Sequence, residues 1–174
     1  DGAGDVHNDG YGQVHVSFGA MYYMNADTID GTTSYFPGTN GLAYWNESMG
    51  ADSAQIIAYS FDYDESGTLD FDEIAAYFVG CAAFPSIATD ASGNMYITYS
   101  AIMENFSTGA QNYRHQFVVH SMDGGVTWNT EDACDLTPDI DFDGYEAVFG
   151  SIAPDVVNGK LEIIYQRDFE PGLH

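Results

Sequence analysis

The sequence predicts an all-β fold made of successive antiparallel sheets, because one strand pattern recurs along the chain. A turn followed by alternating apolar and polar residues occupies 9–21, returns at 90–102 and recurs more weakly at 158–166. Short β-prone pieces at 86–89 and 151–154 precede the second and third copies. Alternation with a period of two is typical of a half-buried strand, and its recurrence indicates a repeated architecture.

The stretch Ser121–Trp128 predicts a tight turn between two of these strands. It fills every fixed position of the pattern Ser-x-Asp-x-Gly-x-Thr-Trp. We expect the side chains of Ser121 and Asp123 to bond nearby backbone N–H groups. Gly124-Gly125 should supply positive φ, and Trp128 should be buried beneath the turn. The pattern therefore describes a self-contained β-hairpin turn.

This turn resembles the Asp-box, or BNR repeat, of sialidase-like β-propellers, in which the motif lies between the third and fourth strands of a blade and stabilises the fold without doing chemistry. The resemblance implies that residues 1–174 are a fragment of one β-propeller domain, since about four to eight four-stranded blades need a longer chain. It also implies that 82–166 form antiparallel strands of at least two adjacent blades. The long interval between the first two strand copies predicts an insertion at 50–81.

The predicted insertion contains a stretch, Asp62–Glu73, with the spacing of an EF-hand calcium loop. In such a loop alternate oxygen-bearing groups converge on one ion, Gly67 permits the sharp turn, and Glu73 closes the shell with two oxygens. The expected ligands of Ca²⁺ are Asp62, Asp64, Ser66, the Thr68 carbonyl, Asp70 and Glu73. A short helix is predicted over 73–79, whereas a strand-like segment replaces the entering helix. The stretch therefore resembles a lone EF-hand-like or dockerin-like loop with a structural role, and a merely acidic surface loop is the alternative.

A second acidic stretch contains Asp139, Asp141 and Asp143 and begins like another calcium loop. Ala147 and Gly150 fall where later ligands would be needed, which weighs against a complete site.

The charge balance excludes one class of partner. Twenty-seven acidic residues stand against Arg114, Arg167 and Lys160, for a formal net charge of −24. Such a surface repels phosphate backbones and anionic membranes, so nucleic acid is not an expected partner. The acidity fits export into a calcium-containing medium, and a solvated acidic surface is the plain alternative.

Two cysteines and the hydropathy pattern add little to the choice of function. Cys81 and Cys134 lack the spacing of a zinc site, and they are compatible with one disulfide or with two buried thiols. The sequence has no run of 18 apolar residues, so no membrane span is predicted.

Two weaker resemblances point to an extracellular or cell-surface location. Residues 99–107 and 165–172 resemble large exported propeller proteins of Bacteroidota that leave by the type IX secretion pathway. Asp27-Thr28-Ile29 and Asp52-Ser53-Ala54 resemble the short sites that such bacteria O-glycosylate.

Loop aromatics supply a candidate binding surface. The segment 25–49 is rich in Gly, Thr, Asn and aromatic residues without a clear period, which predicts long loops. Tyr22, Tyr23, Tyr35, Phe36, Tyr44 and Trp45 are candidates for a sugar-stacking surface or, alternatively, for the core.

Two functions follow from these patterns. The first is a non-catalytic secreted or cell-surface propeller with structural calcium that presents loops to a glycan or to a cell-surface or secretion-system protein. The alternative is a sialidase-like glycoside hydrolase whose catalytic residues lie outside this chain. A sialidase resembling the family would need three arginines around the substrate carboxylate and a Tyr–Glu nucleophile pair, and this sequence has only Arg114 and Arg167.

Overall fold

The computed structural model describes residues 4–27, 29–138 and 144–173 and is all-β in these ranges apart from a single short 3₁₀ turn at Thr130–Asp132. The strands in chain order are β1 (Gly4–Asn8), β2 (Val14–Gly19), β3 (Tyr22–Met24), β4 (Ser34–Phe36), β5 (Leu42–Asn46), β6 (Gln55–Ala58), β7 (Ala82–Asp90), β8 (Met95–Ser107), β9 (Asn112–Ser121), β10 (Cys134–Asp135), β11 (Glu146–Ile152), β12 (Asp155–Val156) and β13 (Ile163–Asp168). The predicted all-β class with antiparallel sheets is confirmed.

The strands form two main sheets and two strand pairs. The first sheet has the order β1-β2-β5-β6 and is antiparallel throughout, with the β3–β4 hairpin inserted between its second and third strands. The second sheet runs β10-β9-β8-β7-β12, antiparallel from β7 to β10, with β12 added parallel to β7. The other strand pair is β11–β13, which is antiparallel.

The three predicted strand copies occupy equivalent places in these units. They form β2, β8 and β13. Each of these pairs with the strand that comes first in the chain within its sheet or strand pair, namely β1, β7 and β11 respectively. The opening strands β7 and β11 are also alike, because each contains a bulge with a phenylalanine at positive φ, Phe84 and Phe149. Both bulges precede the sequence Ser-Ile-Ala, so the repeat extends to backbone irregularities.

The turn at Ser121–Trp128 forms the predicted hydrogen bonds. Asp123 Oδ1 accepts the N–H groups of Val126 and Thr127, at 3.1 and 2.8 Å, and Ser121 Oγ accepts the N–H of Gly125 at 2.8 Å. The N–H and hydroxyl of Thr127, the Ser121 hydroxyl and the Val126 N–H all donate to the Asp123 carboxylate and lower its pKa to about 2. Gly124 and Gly125 both have positive φ, as expected. The turn connects β9 to β10, the third and fourth strands of the antiparallel part of the second sheet.

Trp128 is half-buried rather than fully buried beneath this turn. Its Nε1 donates to the Gly125 carbonyl at 3.2 Å, and its ring meets Tyr44 edge-on at 4.9 Å. Tyr44 belongs to β5, so the turn also joins the second sheet to the first.

The main core lies between the first and second sheets. Its buried members include Leu42, Ile57, Ile97 and Phe117, drawn from β5, β6, β8 and β9. Burying each such side chain contributes about 1.5–3 kcal/mol, so this interface holds the two sheets together.

The short helix predicted over 73–79 is wrong. The segment is irregular, and Ala75, Tyr77 and Val79 are buried while Ala76 and Phe78 are exposed. That alternation has the period of an extended chain, and Phe78 has positive φ. Burying one side of the segment against the sheets overrides the local helix preference of its alanines.

The long connection between the two main sheets runs from 59 to 81. Residues 55–58, which fall within the predicted 50–81 insertion, form β6 as the fourth strand of the first sheet.

Candidate functional site

The acidic loop in this connection gathers three carboxylates, from Asp62, Asp64 and Glu104. Each offers an oxygen, and these oxygens lie within 4.8 Å of one another. Asp62 and Glu104 are half-buried and Asp64 is exposed. Asp62 and Asp64 were predicted as ligands from the loop spacing, whereas Glu104 lies on β8 and was not predicted.

Glu104 also fixes the shape of the loop from outside it. Its Oε2 accepts the N–H of Tyr63 at 2.6 Å, and its Oε1 accepts the N–H of Asp70 at 2.8 Å. The residue lies in the part of β8 where the pairing with β9 shifts register between Ile102 and Ser107. A bulged strand turns its side chains away from the regular alternation, which explains how a strand residue reaches the loop.

The first half of the loop wraps around Asp62. Its two oxygens accept the N–H groups of Ser66 at 3.1 Å and Gly67 at 2.7 Å, and Gly67 has a φ of +90°. Asp64 Oδ1 accepts the Ser66 N–H at 3.0 Å, and this bond lowers the pKa of Asp64. The two carboxylates are therefore held side by side by backbone N–H groups of the loop.

The remaining predicted ligands are not gathered in the same way. The Thr68 carbonyl accepts the Ser66 hydroxyl at 2.9 Å, and Asp70 Oδ1 accepts the Thr68 hydroxyl at 3.4 Å. The mutually close group among the described residues does not contain Asp70 or Glu73. Glu73 is exposed, and its carbonyl accepts the N–H of Asn112 at 3.1 Å.

The donor set of the acidic cluster fits a hard cation. Three carboxylates supply oxygen atoms only, which is the ligand type that calcium prefers, and nearby loop carbonyls and water can complete six to eight positions. Carboxylate oxygens this close repel one another when they are charged, and a bound cation would remove that repulsion.

Both arginines of the chain are used structurally. Arg114 is buried, and its guanidinium donates to the carbonyls of Cys81 at 2.8 Å and Gly80 at 2.9 Å. Arg167 lies over the ring of Tyr145, 3.8 Å from its centre. The two guanidinium groups therefore do not form a joint clamp for a substrate carboxylate.

One tyrosine and one carboxylate, Tyr77 and Glu146, meet in the interior of the protein. The Tyr77 hydroxyl donates to Glu146 Oε1, and the two residues are only 6% and 0% exposed. Burial raises the pKa of Glu146 to about 8. Arg114 lies 5.6 Å from the centre of the Tyr77 ring. The three residues fasten segment 74–81 to β9 and β11.

The candidate sugar-stacking aromatics divide into two groups. Tyr22, Tyr23, Tyr35 and Phe36 are exposed on the β3–β4 hairpin, whereas Tyr44 is fully buried and bonded to His15 at 2.7 Å. Trp45 is half-buried, and its indole donates to Gly50. The core alternative is therefore correct for Tyr44, and the surface alternative remains open for the hairpin.

The remaining predictions from the sequence concern the cysteines, the second acidic stretch, the glycosylation-like sites and membrane spans. Cys81 and Cys134 are free thiols, one buried and one exposed. Asp139, Asp141 and Asp143 lie outside the described residues, as does Thr28, while Asp52 and Ser53 are exposed. Among the described residues there is no helix long and apolar enough to cross a membrane.

The chain matches no protein-family model, no curated protein and no solved structure.

Proposed function

We propose that the chain is part of an exported, non-catalytic β-propeller of the Asp-box type, in which structural calcium holds the connecting loop against the second sheet. The observation that carries this proposal is the position of the Ser121–Trp128 turn. It joins the third and fourth strands of a four-stranded antiparallel meander, β7 to β10, which is where the Asp-box lies in a propeller blade.

The repeated sheets support the same proposal. The first sheet is a second four-stranded meander, and β11–β13 begins a further unit with the same bulged opening strand as β7. The opening strands β1 and β11 both pack against β7. Adjacent inner strands from successive blades meet in this way around a propeller axis.

A non-catalytic role is supported by the use of the charged groups. Arg114 is fixed to two backbone carbonyls, Lys160 pairs with Glu162 at 3.0 Å, and the Tyr77–Glu146 pair is buried away from any sugar. The sialidase-like alternative would need a guanidinium clamp, which Arg114 and Arg167 do not supply, because one is fixed to backbone carbonyls and the other stacks on Tyr145.

We expect the purified protein to release no fluorophore from a sialoside reporter above the level of a boiled control. The measurement is continuous fluorescence over a range of pH, with a known sialidase to show that the reporter is active. Release that scales with protein concentration and disappears on boiling would contradict the non-catalytic assignment.

Calcium is proposed to bind at Asp62, Asp64 and Glu104. The ion would neutralise the repulsion among the three carboxylates and tie the loop to β8, since Glu104 already bonds both ends of the turn. The role would be structural, because the ligands come from the loop and from the sheet beside it.

We expect calcium to stabilise the protein measurably. At a free calcium concentration about 100 times the Kd, the gain is about 2.7 kcal/mol, or about 5 °C or more in Tm for a chain of this size. Titration calorimetry of the calcium-stripped protein and thermal melts with and without chelator are the measurements. Absence of binding heat together with an unchanged Tm would rule the site out.

Three matched variants separate the possible ligand sets. Glu104→Gln should abolish the calcium-dependent rise in Tm, and Glu65→Gln, which removes a carboxylate from the same loop but not from the cluster, should preserve it. Glu73→Gln distinguishes the observed cluster from the EF-hand pattern. Retained calcium stabilisation in Glu73→Gln supports the cluster, and its loss supports the ligand set predicted from spacing.

A further inference from the structure

An open groove lies between the β3–β4 hairpin and the loop that follows the acidic cluster. One wall carries Tyr22, Tyr35 and Phe36, and the other carries Phe71, Asp72 and Glu73. We call it the hairpin groove. Its volume is about 920 Å³, which is within the range of sites for small organic ligands.

The aromatic rings on the hairpin wall of the groove are exposed instead of being buried in the core, and Phe71 on the other wall is half-buried. Tyr22 is 71% exposed and Phe36 is 45% exposed. The two residues are directly paired across the hairpin, so their rings share one face of it. Large aromatic side chains left in solvent on one wall of a cavity indicate a surface that binds a partner.

Both walls are held in place by hydrogen bonds. Thr39 donates its N–H and its hydroxyl to the Phe36 carbonyl, at 3.0 and 2.7 Å, and its Oγ1 accepts the Tyr22 N–H at 3.2 Å. On the other wall, the Asp72 N–H donates to Asn112 at 2.7 Å, and its carboxylate accepts the Ser107 hydroxyl at 2.7 Å. The groove is therefore preformed, which lowers the entropic cost of binding.

The lining determines the chemistry of the ligand. Asp72 and Glu73 accept hydrogen bonds and cannot donate them, so the ligand must supply donors, and its body must present apolar faces to the rings. The lining contains no lysine or arginine, and the chain has a formal net charge of −24, so an anionic ligand is repelled.

Sugars and ammonium groups both supply hydrogen-bond donors, and both bind to aromatic faces. The arrangement of the aromatic rings shows which of these two ligand classes the groove favours. A cage for a cation gathers rings around one point. Here the rings are spread over two walls of an open cavity, and Tyr35 makes its ring contacts with Tyr23 at 6.4 Å and Phe78 at 5.9 Å, neither of which lines the groove. Spread rings suit the successive flat faces of a chain of pyranoses.

We propose that the hairpin groove binds a neutral oligosaccharide by stacking sugar rings on Tyr22 and Phe71 and by accepting sugar hydroxyls at Asp72 and Glu73. The proposal rests on the non-catalytic binding role and names its ligand class.

The test is titration calorimetry of the intact protein with a panel of neutral oligosaccharides of hexose and N-acetylhexosamine units. Sialylated and sulfated oligosaccharides are the anionic counterparts, and an oligolysine peptide is the cationic probe. Binding of at least one neutral oligosaccharide, with weaker or no binding of its anionic counterpart, is the expected result. Binding of the peptide alone, or no binding of any neutral member, overturns the proposal.

Variants locate the binding. Tyr22→Ala and Phe71→Ala should each weaken binding about tenfold, and Glu73→Gln should weaken it less, because an exposed hydrogen bond contributes little. Tyr165→Ala and Glu162→Gln, exposed residues outside the groove, should leave the affinity unchanged. Equal affinities in wild type, Tyr22→Ala and Phe71→Ala overturn the assignment to this groove even if a sugar binds.

The same samples separate this proposal from the proposed function. Chromatography of the oligosaccharide after incubation reports hydrolysis, and titrations with and without chelator report any dependence on calcium. Binding with hydrolysis supports the groove and contradicts the non-catalytic role, whereas binding without hydrolysis supports both. Binding that survives chelator supports a preformed groove, independent of the outcome at the calcium site.

Discussion

Replacing Arg114 with methionine should lower the free energy of unfolding by about 1–3 kcal/mol, because the buried Gly80 carbonyl would lose its guanidinium donor, whereas the Cys81 carbonyl keeps the Ile102 N–H and the Ser60 hydroxyl. The guanidinium now bonds the carbonyls of Gly80 and Cys81, at 2.9 and 2.8 Å. Methionine fills similar space, so the loss reports the hydrogen bonds more than a cavity.

The charge of Arg114 alone is not sufficient for this role. Burial lowers the pKa of Arg114 to about 10, so the group remains protonated at neutral pH. Lysine would keep the charge, but its ammonium lacks the planar fork that reaches two neighbouring carbonyls at once. Arg114→Lys should therefore recover only part of the stability.

Urea unfolding curves of the purified variants measure the effect. Arg167→Met is the matched control, because Arg167 is exposed and stacks on Tyr145, an arrangement whose loss costs about 0.5–1 kcal/mol. If Arg114→Met is no less stable than Arg167→Met, the two carbonyl bonds do not fasten segment 74–81.

The strands and the Ser121–Trp128 turn were predictable because their determinants are local. Alternation of apolar and polar residues with a period of two shows which side of a strand is buried. Paired glycines beside an Asp that accepts backbone N–H groups specify a turn without reference to the rest of the chain. The same reasoning located three equivalent strands, β2, β8 and β13, from turn-plus-strand copies alone.

Two of the three carboxylates in the acidic cluster were predictable from the sequence, and the third was not, for a physical reason. Asp62 and Asp64 belong to a local spacing, but Glu104 reaches them from a bulged part of β8, and the position of a bulge depends on how two sheets pack. The sequence around Glu104 carries no signal for this role. Conversely, Glu73 fits the local pattern, yet its backbone is bonded to Asn112 and its carboxylate is not in the cluster.

The predicted helix at 73–79 failed for a related reason. Alanine and isoleucine favour a helix weakly, by tenths of a kcal/mol per residue, whereas burying Tyr77 and Val79 against the sheets contributes about 1.5–3 kcal/mol for each large side chain. Tertiary burial therefore decides the conformation, and only an extended chain puts Ala75, Tyr77 and Val79 on the same side.

Glu146 provides the second large expected effect, a loss of stability as the pH rises. Burial raises its pKa to about 8 in the folded protein, against an ordinary value near 4.5. The N–H groups of Gly172 and Arg114 oppose this rise, and the carboxylate of Asp168, which is paired with Glu146 across the sheet, adds to it. Tyr77 donates to one carboxyl oxygen, and the other oxygen has no hydrogen-bond partner among the described residues.

The sign of the pH effect follows from which state holds the proton. Between the unfolded pKa near 4.5 and the folded pKa near 8, the folded protein keeps the Glu146 proton and the unfolded chain has lost it. The contribution of this group to stability is therefore fully present below about pH 4.5 and is lost progressively up to about pH 8. A shift of this size corresponds to a few kcal/mol.

We expect Glu146→Gln to remove this dependence, because an amide is uncharged throughout and can still accept the Tyr77 hydroxyl. Unfolding free energies measured from about pH 5 to pH 8 should fall for the wild type and for the control Glu162→Gln, whose side chain is exposed. Taking the difference between wild type and Glu146→Gln cancels other titrating groups, including His7, whose pKa is lowered by burial and whose effect has the opposite sign. That difference should grow with pH to a few kcal/mol in favour of the glutamine variant at about pH 8. Parallel curves for the two proteins across this range would show that Glu146 is ionised in the fold at neutral pH and that its negative charge is stabilised where it lies.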